Sequence, residues 1–305
     1  MSEPYSVVRT YKSCSNNSSD SNQNRKGGLS SRLKNLEIEE LKLDQEDFVK
    51  IHKAFKNSGK FIGKGAFGQV YGGKYQGKKA VAKFCKYSGL DNKKYILNEI
   101  NSLNIFDHPN VVKIHAFAHK TDKDVSGDGE FVLILEHGGN NLANMVENDL
   151  ITPMQIIEII IQVLTGLDYI HKFGNQKLIH RDIKPENIFI RATGSTLKVK
   201  IGDFGCIRKT SSDNSATVGG AKGTKPYMAF EVFQQHIEML SASEDKHFDP
   251  QVYTQSGDTL AVGLSLFFMV SGNVPFSGNH TQKCEKVPCL PDYFPNDFVQ
   301  IQGAN

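Results

Sequence analysis

The sequence predicts an α+β fold in two lobes: a small antiparallel β-sheet lobe with one main helix, then a larger, mainly helical lobe. Three observations predict it. Residues 59 to about 137 read as strands with one intervening helix. From 139 onward, apolar residues at helical spacing dominate. Between the two, at Glu136 to Asn141, an apolar run gives way to acidic, Gly and Asn residues, which marks a hinge.

Along the chain, residues 13 to 31 are mostly Ser and Asn, carry almost no large apolar groups, and read as a disordered tail. Residues 32 to about 56 are charged with spaced apolar positions: Leu33, Leu36, Ile38, Leu41, Leu43, Phe48 and Ile51. An amphipathic helix packed on the domain and a loose lead-in both fit this pattern. The lead-in is the reading adopted, so 1–56 is set apart from a domain at 57–305, with its small lobe at 57–137 and its large lobe at 138–305. The small-lobe helix is expected to begin near Asp91 as N-cap, aligning Ile96, Ile100 and Leu103 at i, i+4 and i+7. The clearest helix start is Thr152-Pro153-Met154-Gln155, a capping box with Pro at the first helical position. Its apolar face continues through Ile156, Ile160, Val163, Leu167 and Ile170. No internal repeat is visible.

The bulk numbers narrow the function classes. A hydrophobic fraction of 39% supports a folded core, and a net charge of +3 over 305 residues gives no electrostatic case for a nucleic-acid partner. Five scattered cysteines (14, 85, 206, 284 and 289) suit a reduced cytoplasmic chain better than a disulfide framework. Cys284 and Cys289 form a lone CxxxxC without His neighbours, which argues against zinc. The N-terminus has no apolar signal core, and Leu260 to Val270 is too short to span a bilayer, so no membrane association is expected. Sequon matches at Asn16, Asn17 and Asn279 are then incidental.

The chemistry concentrates in Ile179-His180-Arg181-Asp182-Ile183-Lys184-Pro185-Glu186-Asn187, followed by Asp203-Phe204-Gly205. Ile188-Phe189-Ile190 reads as a strand, Thr193-Gly194-Ser195 as a turn, and Leu197 to Ile201 as a returning strand. Such a hairpin brings Asn187 and Asp203 side by side as two oxygen ligands for Mg²⁺. Asp182 is then placed to orient an incoming hydroxyl or accept its proton. Further upstream, Gly63-Lys64-Gly65-Ala66-Phe67-Gly68 precedes Val70. A GxGxxG alone is also the mark of a dinucleotide-binding turn, but there a helix follows, whereas Gln69-Val70-Tyr71 reads as a strand. Its glycines let backbone amides approach phosphates without Cβ clashes.

Together these motifs resemble the eukaryotic protein kinase superfamily, serine/threonine type, over about 59 to 300. The resemblance implies Mg-ATP as phosphoryl donor and protein Ser/Thr hydroxyls as acceptors. It implies that Ile62 and Val70 cover the adenine, with Leu135 guarding the back of the pocket and Phe189 forming its floor. Backbone groups of Glu136 and Gly138 would bind the adenine edge. Lys83, in Ala80-Val81-Ala82-Lys83-Phe84, would contact the phosphates and be held by Glu99 on the small-lobe helix; read alone, Lys83 is equally an exposed strand lysine. Asn187 and Asp203 would hold the metal, Asp182 would position the acceptor, and Lys184 would neutralise charge on the transferred group. Arg181 before Asp182 implies activation by a phosphate on the segment from Asp203 to Glu231, which offers Thr210, Ser211, Ser212, Ser215, Thr217 and Thr224. Asp258 would hold the catalytic loop through its backbone.

Departures from the pattern are Val81 for the usual Ala, and Phe230 in Gly223-Thr224-Lys225-Pro226-Tyr227-Met228-Ala229-Phe230-Glu231, where Pro is usual. There is also a 26-residue stretch between Glu231 and Asp258, longer than usual, and no arginine after Arg208. With 29 residues after Phe276, the large lobe is expected to be incomplete. A kinase-shaped scaffold, inactive for that reason, is the alternative to an active enzyme. A small-molecule phosphotransferase is disfavoured, because residues 223–231 resemble a peptide platform.

Overall fold

Strand alternation builds the first part of the molecule. The structure is a computed structural model that describes residues 42–57, 59–65, 68–121, 128–174, 177–194, 196–209, 215–218, 223–230, 232–233 and 251–275. Six strands, β1 (Lys42–Leu43), β2 (Lys60–Gly65), β3 (Gly68–Tyr75), β4 (Lys78–Tyr87), β5 (Ile114–Thr121) and β6 (Gly129–Glu136), form one sheet in the order β1-β5-β6-β4-β3-β2. All pairings are antiparallel except β1 with β5. Gln76 and Gly77 join β3 to β4 with φ of 48° and 75°, the left-handed pair that a two-residue hairpin turn requires.

The two faces of this sheet differ. Ala80, Ala82 and Phe84 of β4, Ala116 and Ala118 of β5, and Val132 and Ile134 of β6 form one buried cluster with Phe48, Ile51 and Phe55. Those last three come from helix α1 (Gln45–His52) and the π-helical turn Lys53–Asn57 that follows it. The loose lead-in adopted from sequence is therefore corrected over these residues, which form a capped helix. Asp44 caps α1 by accepting from the Asp47 amide at 2.9 Å. The alanines leave room for the helix. Phe55 fits so closely that a Cβ on Gly73 would lie 2.7 Å from its ring.

The described residues divide into two units. The first holds the residues up to Lys93 and Ile114–His137; the second holds Lys94–Lys113 and the residues from Gly138. The division falls within helix α2 (Gly89–Ile105), which starts two residues before the expected Asp91 cap, at a glycine with φ of 76°. Ile96, Ile100 and Leu103 are buried, as the spacing predicts.

The second unit is mainly helical, with α3 (Leu142–Glu147), α4 (Pro153–His171) and α5 (Gln255–Ser271). At the head of α4, Gln155 accepts from the Thr152 amide at 2.9 Å and the Thr152 side chain turns to the Gln155 amide, the expected capping box. Length and hydropathy would let α4 cross a bilayer, which the sequence reading did not weigh. Burial of Ile156, Ile159, Val163, Leu167 and Ile170 in the unit's core accounts for that apolarity as well. The predicted hairpin forms as β9 (Ile188–Thr193) and β10 (Thr196–Ile201), joined by β7 (Asn140–Asn141) in a three-stranded sheet. Gln162 fastens α4 to β10, accepting from Val199 N at 3.0 Å and donating to Leu197 O at 3.0 Å. Two short ribbons complete it, β8 (Leu178–Ile179) with β11 (Arg208–Lys209), and β12 (Ser215–Val218) with β13 (Gln251–Thr254).

Phe55 is 2% exposed whereas Val49, also on the lead-in, is 64% exposed. Truncating Phe55 to Ala should therefore destabilise the protein by about 3–5 kcal/mol. Val49→Ser should cost no more than about 0.5 kcal/mol. Urea titration of both variants checks this, and equal midpoints would show that the turn Lys53–Asn57 after α1 is not part of the folded core.

Candidate functional site

The loop from His180 to Asn187 is held from below by the head of α5. Asp258, 3% exposed in the first turn of that helix, accepts from the backbone amides of His180 and Arg181, each at 2.8 Å. His171 Nε2 lies 2.8 Å from the same carboxylate. Arg181 adopts φ of 69°, a left-handed conformation that a non-glycine residue holds only when its surroundings impose it. His180 is fully enclosed, and burial pushes its pKa down, so the ring is neutral. It donates from Nε2 to Gly202 O at 3.2 Å and packs edge-on against Phe204 at 4.9 Å between centroids.

Asp182 stands at the centre of this loop, 8% exposed. Asn187 donates from Nδ2 to the Asp182 carbonyl at 2.8 Å and to its Oδ2 at 3.0 Å. Lys184 Nζ lies 2.9 Å from Asp182 Oδ2. Thr224, from the short 3₁₀ turn region Lys225–Tyr227, donates to Asp182 Oδ1 at 2.8 Å and accepts from Lys184 at 2.6 Å. Carboxylate, ammonium and hydroxyl thus close a ring. The sequence reading counted Thr224 only among candidate phosphoacceptors. Its place here could have been suspected because Gly223-Thr224 opens the nine-residue segment end.

Asp203 follows β10 with φ of 62°, a second left-handed non-glycine residue in the site. The hairpin keeps it beside Asn187: Ile188 pairs with Ile201, and Gly202 N donates to Asn187 O at 2.9 Å. Tyr95 on α2 donates to Asp203 Oδ1 at 3.4 Å, and its ring fills the space a Cβ on Gly205 would need, 2.1 Å away. Burial pushes the Tyr95 hydroxyl far up, so it is a donor at every ordinary pH. Sequence reasoning missed Tyr95, although it lies one helical turn before Glu99 on the same face. Glu99 itself is 1% exposed.

One carboxylate and one amide form a hard oxygen donor set, which suits Mg²⁺. Asn187 turns its Nδ2 to Asp182, so its amide oxygen is the atom directed away from that carboxylate. Among the described residues no group of three or more His, Cys, Asp or Glu side chains could hold a metal. An amide oxygen and a carboxylate are a donor pair that Mg²⁺ accepts where substrate oxygens and water complete its shell. The residues present therefore fit the cation.

In the first unit, Gly63, Lys64 and Gly65 lie on β2, with Gly68 and Val70 on β3, and Ile62 is 52% exposed. Gly63 pairs with Val70 and Gly65 with Gly68, so the glycine motif is a β-hairpin, as expected. Ala66 and Phe67 lie outside the described residues. A Cβ on Gly68, whose φ is 152°, would collide with Phe84 O at 1.7 Å, so glycine is required there. Lys83 on β4 pairs with Val70 and with Leu133, placing Val70 and Lys83 side by side on the face opposite Ala80, Ala82 and Phe84. Leu135 and Glu136 end β6. In the second unit, Gly138 lies directly against Phe189, where a Cβ would approach the Phe189 Cβ at 2.7 Å and the first ring carbon at 3.1 Å. Glu231 and the cysteines at 284 and 289 lie outside the described residues.

Comparison with known proteins agrees with this geometry. The family model described as "Protein kinase domain" matches residues 56–291. The chain is 31% identical over 224 residues to "Serine/threonine-protein kinase TIO" of Arabidopsis thaliana, covering 72% of this chain and 15% of that protein. It is 31% identical over 226 residues to "Myosin light chain kinase, smooth muscle" of Gallus gallus, covering 72% and 10%. It is 30% identical over 241 residues to a "Probable myosin light chain kinase" of Dictyostelium discoideum, covering 78% and 70%. The chain thus spans only a small part of the first two relatives and about two thirds of the third. A family match across most of the sequence, with the loop 179–187 and Asp203 arranged as described, places this chain in the protein kinase family.

Proposed function

We propose that the chain is an active serine/threonine protein kinase, transferring the γ-phosphoryl group of ATP to a protein hydroxyl. The ring Asp182–Thr224–Lys184 is the observation that carries this reading. It fixes a carboxylate beside a cation, as in-line transfer to a hydroxyl needs. The relatives' printed names include serine/threonine kinases, which supports the acceptor class. Ile62, the hairpin Gly63–Gly68, Val70 and Lys83, with Leu135, Glu136, Gly138 and Phe189, are the residues proposed to bind ATP. Glu99 is proposed as the partner of Lys83.

The acceptor hydroxyl would donate to Asp182, which orients its oxygen at the γ-phosphorus and takes up its proton as the P–O bond forms. Lys184 would offset the charge on the equatorial oxygens while the bond to ADP breaks. Asn187 and Asp203 would hold Mg²⁺, which when bound neutralises phosphate charge. Thr224 would keep Asp182 and Lys184 in register. A phosphate on Thr224 would set two negative charges against Asp182, so that hydroxyl is better read as a positioning group than as an activating site.

Transfer of labelled phosphate from ATP to a generic Ser/Thr protein substrate tests the reading. Asp182→Ala should lower kcat by about 10²–10⁴-fold. Activity unchanged by that substitution and by Lys83→Ala would sink the mechanism, while nucleotide binding without transfer in the unmodified chain would point to a kinase-shaped scaffold. Thr224→Val should lower kcat by about 10–100-fold with a smaller change in KM, since it removes one charge-assisted hydrogen bond of about 1.5–3 kcal/mol. Steady-state kinetics would separate the two parameters.

A further inference from the structure

Arg181 is bonded in a way that the kinase reading leaves unexplained. It is 7% exposed, donates from Nε to Cys206 O at 2.6 Å, and lays its guanidinium 4.9 Å from the ring centroid of Tyr253. Its Nη1 is buried without a hydrogen-bond partner among the described residues. Burial pushes its pKa down, while Tyr253 and Asp258 favour its charged form. Beside it lies a cavity of about 30 Å³, lined in part by Arg181, Thr224, Tyr253 and Asp258, with room for a water molecule or two. The arginine implied by resemblance to receive a phosphate is therefore covered by an aromatic ring.

Tyr253, 5% exposed, belongs to the stretch before Asp258 that is longer than the family pattern. Strand β13, which carries it, pairs with β12 from the segment after Asp203, in register from Ser215 with Thr254 to Val218 with Gln251. Thr254 then caps α5, accepting from Gly257 N at 3.2 Å, and Asp258 bonds the Arg181 amide at 2.8 Å. One continuous stretch, 251–258, thus pairs with the segment's backbone, stacks on the Arg181 side chain and holds the Arg181 main chain. Two things a phosphate would supply, a tie to the segment and a partner for the cation, are both present in the unmodified polypeptide, the first as backbone pairing and the second as an aromatic face.

We propose that Tyr253 is a positioning residue: through Arg181, it and the β12–β13 ribbon hold residues 203–209 and 215–218 of that segment in their working arrangement without a phosphate. The inference rests on the kinase reading above. It is tested on the full chain, made phosphate-free by phosphatase and verified by mass spectrometry, with Asp182→Ala as the blank. Phosphate-free protein should transfer phosphate at a kcat within about twofold of the autophosphorylated form. Tyr253→Phe, which keeps the ring, should retain that rate, and Tyr253→Leu should lose about 5–30-fold in kcat with a smaller change in KM for ATP. A phosphate-free chain that is inactive while its autophosphorylated form is active would overturn the proposal, as would full kcat in Tyr253→Leu. Amide hydrogen exchange supplies the independent readout. Residues 215–218 and 251–254 should be protected in the phosphate-free chain and lose protection in Tyr253→Leu. Rapid exchange there in the unmodified chain overturns the ribbon even if no form transfers phosphate, an outcome that would separately end the kinase reading.

Discussion

The carboxylate of Asp258 is the contact on which the geometry of the loop from His180 to Asn187 depends. A carboxylate enclosed this deeply is costly unless its lone pairs are taken, and two backbone amides plus His171 take them. Those bonds hold Arg181 in a left-handed conformation that the chain would otherwise leave. The turn so formed presents Asp182 to Asn187, Lys184 and Thr224. The Asp182 carboxylate is thus aimed by a second one that touches neither Asn187, Lys184 nor Thr224.

The site is over-determined at each step, which is what precise placement of a side chain requires. Asn187 grips both the main chain and the side chain of Asp182. His180, kept neutral by burial, fixes Gly202 at the far end of the hairpin, and Phe204 packs against its ring. Removing any one of these groups leaves the others in place but less constrained. Effects of single substitutions in this cluster should therefore be non-additive.

Much of this was legible in the chain itself, and the reason is local. The hairpin 188–201 announces itself by alternation and a Gly turn, and it alone brings Asn187 and Asp203 together. The glycine hairpin, the α4 cap and the buried face of α2 are likewise written within a few residues of one another. What escaped were contacts between distant segments. Thr224 meets Asp182 across 42 positions, and Tyr95 meets Asp203 across 108. Neither spacing leaves a periodic trace. Lead-in residues 45–57 were read as loose because their apolar positions are sparse. The sheet compensates with four alanines, a complementarity visible only once the strands are assembled.

Those alanines carry a practical consequence. Ala80, Ala82, Ala116 and Ala118 make one face of the sheet a shallow seat, with Phe84, Val132 and Ile134 at its base. A polypeptide begun at residue 58, where the family match has only just started, would uncover that seat. The resulting apolar patch would favour self-association over solubility. Recombinant boundaries for this protein belong upstream of Lys42, and precipitation of a shorter version would reflect a missing lid on the sheet, not a defect in the second unit.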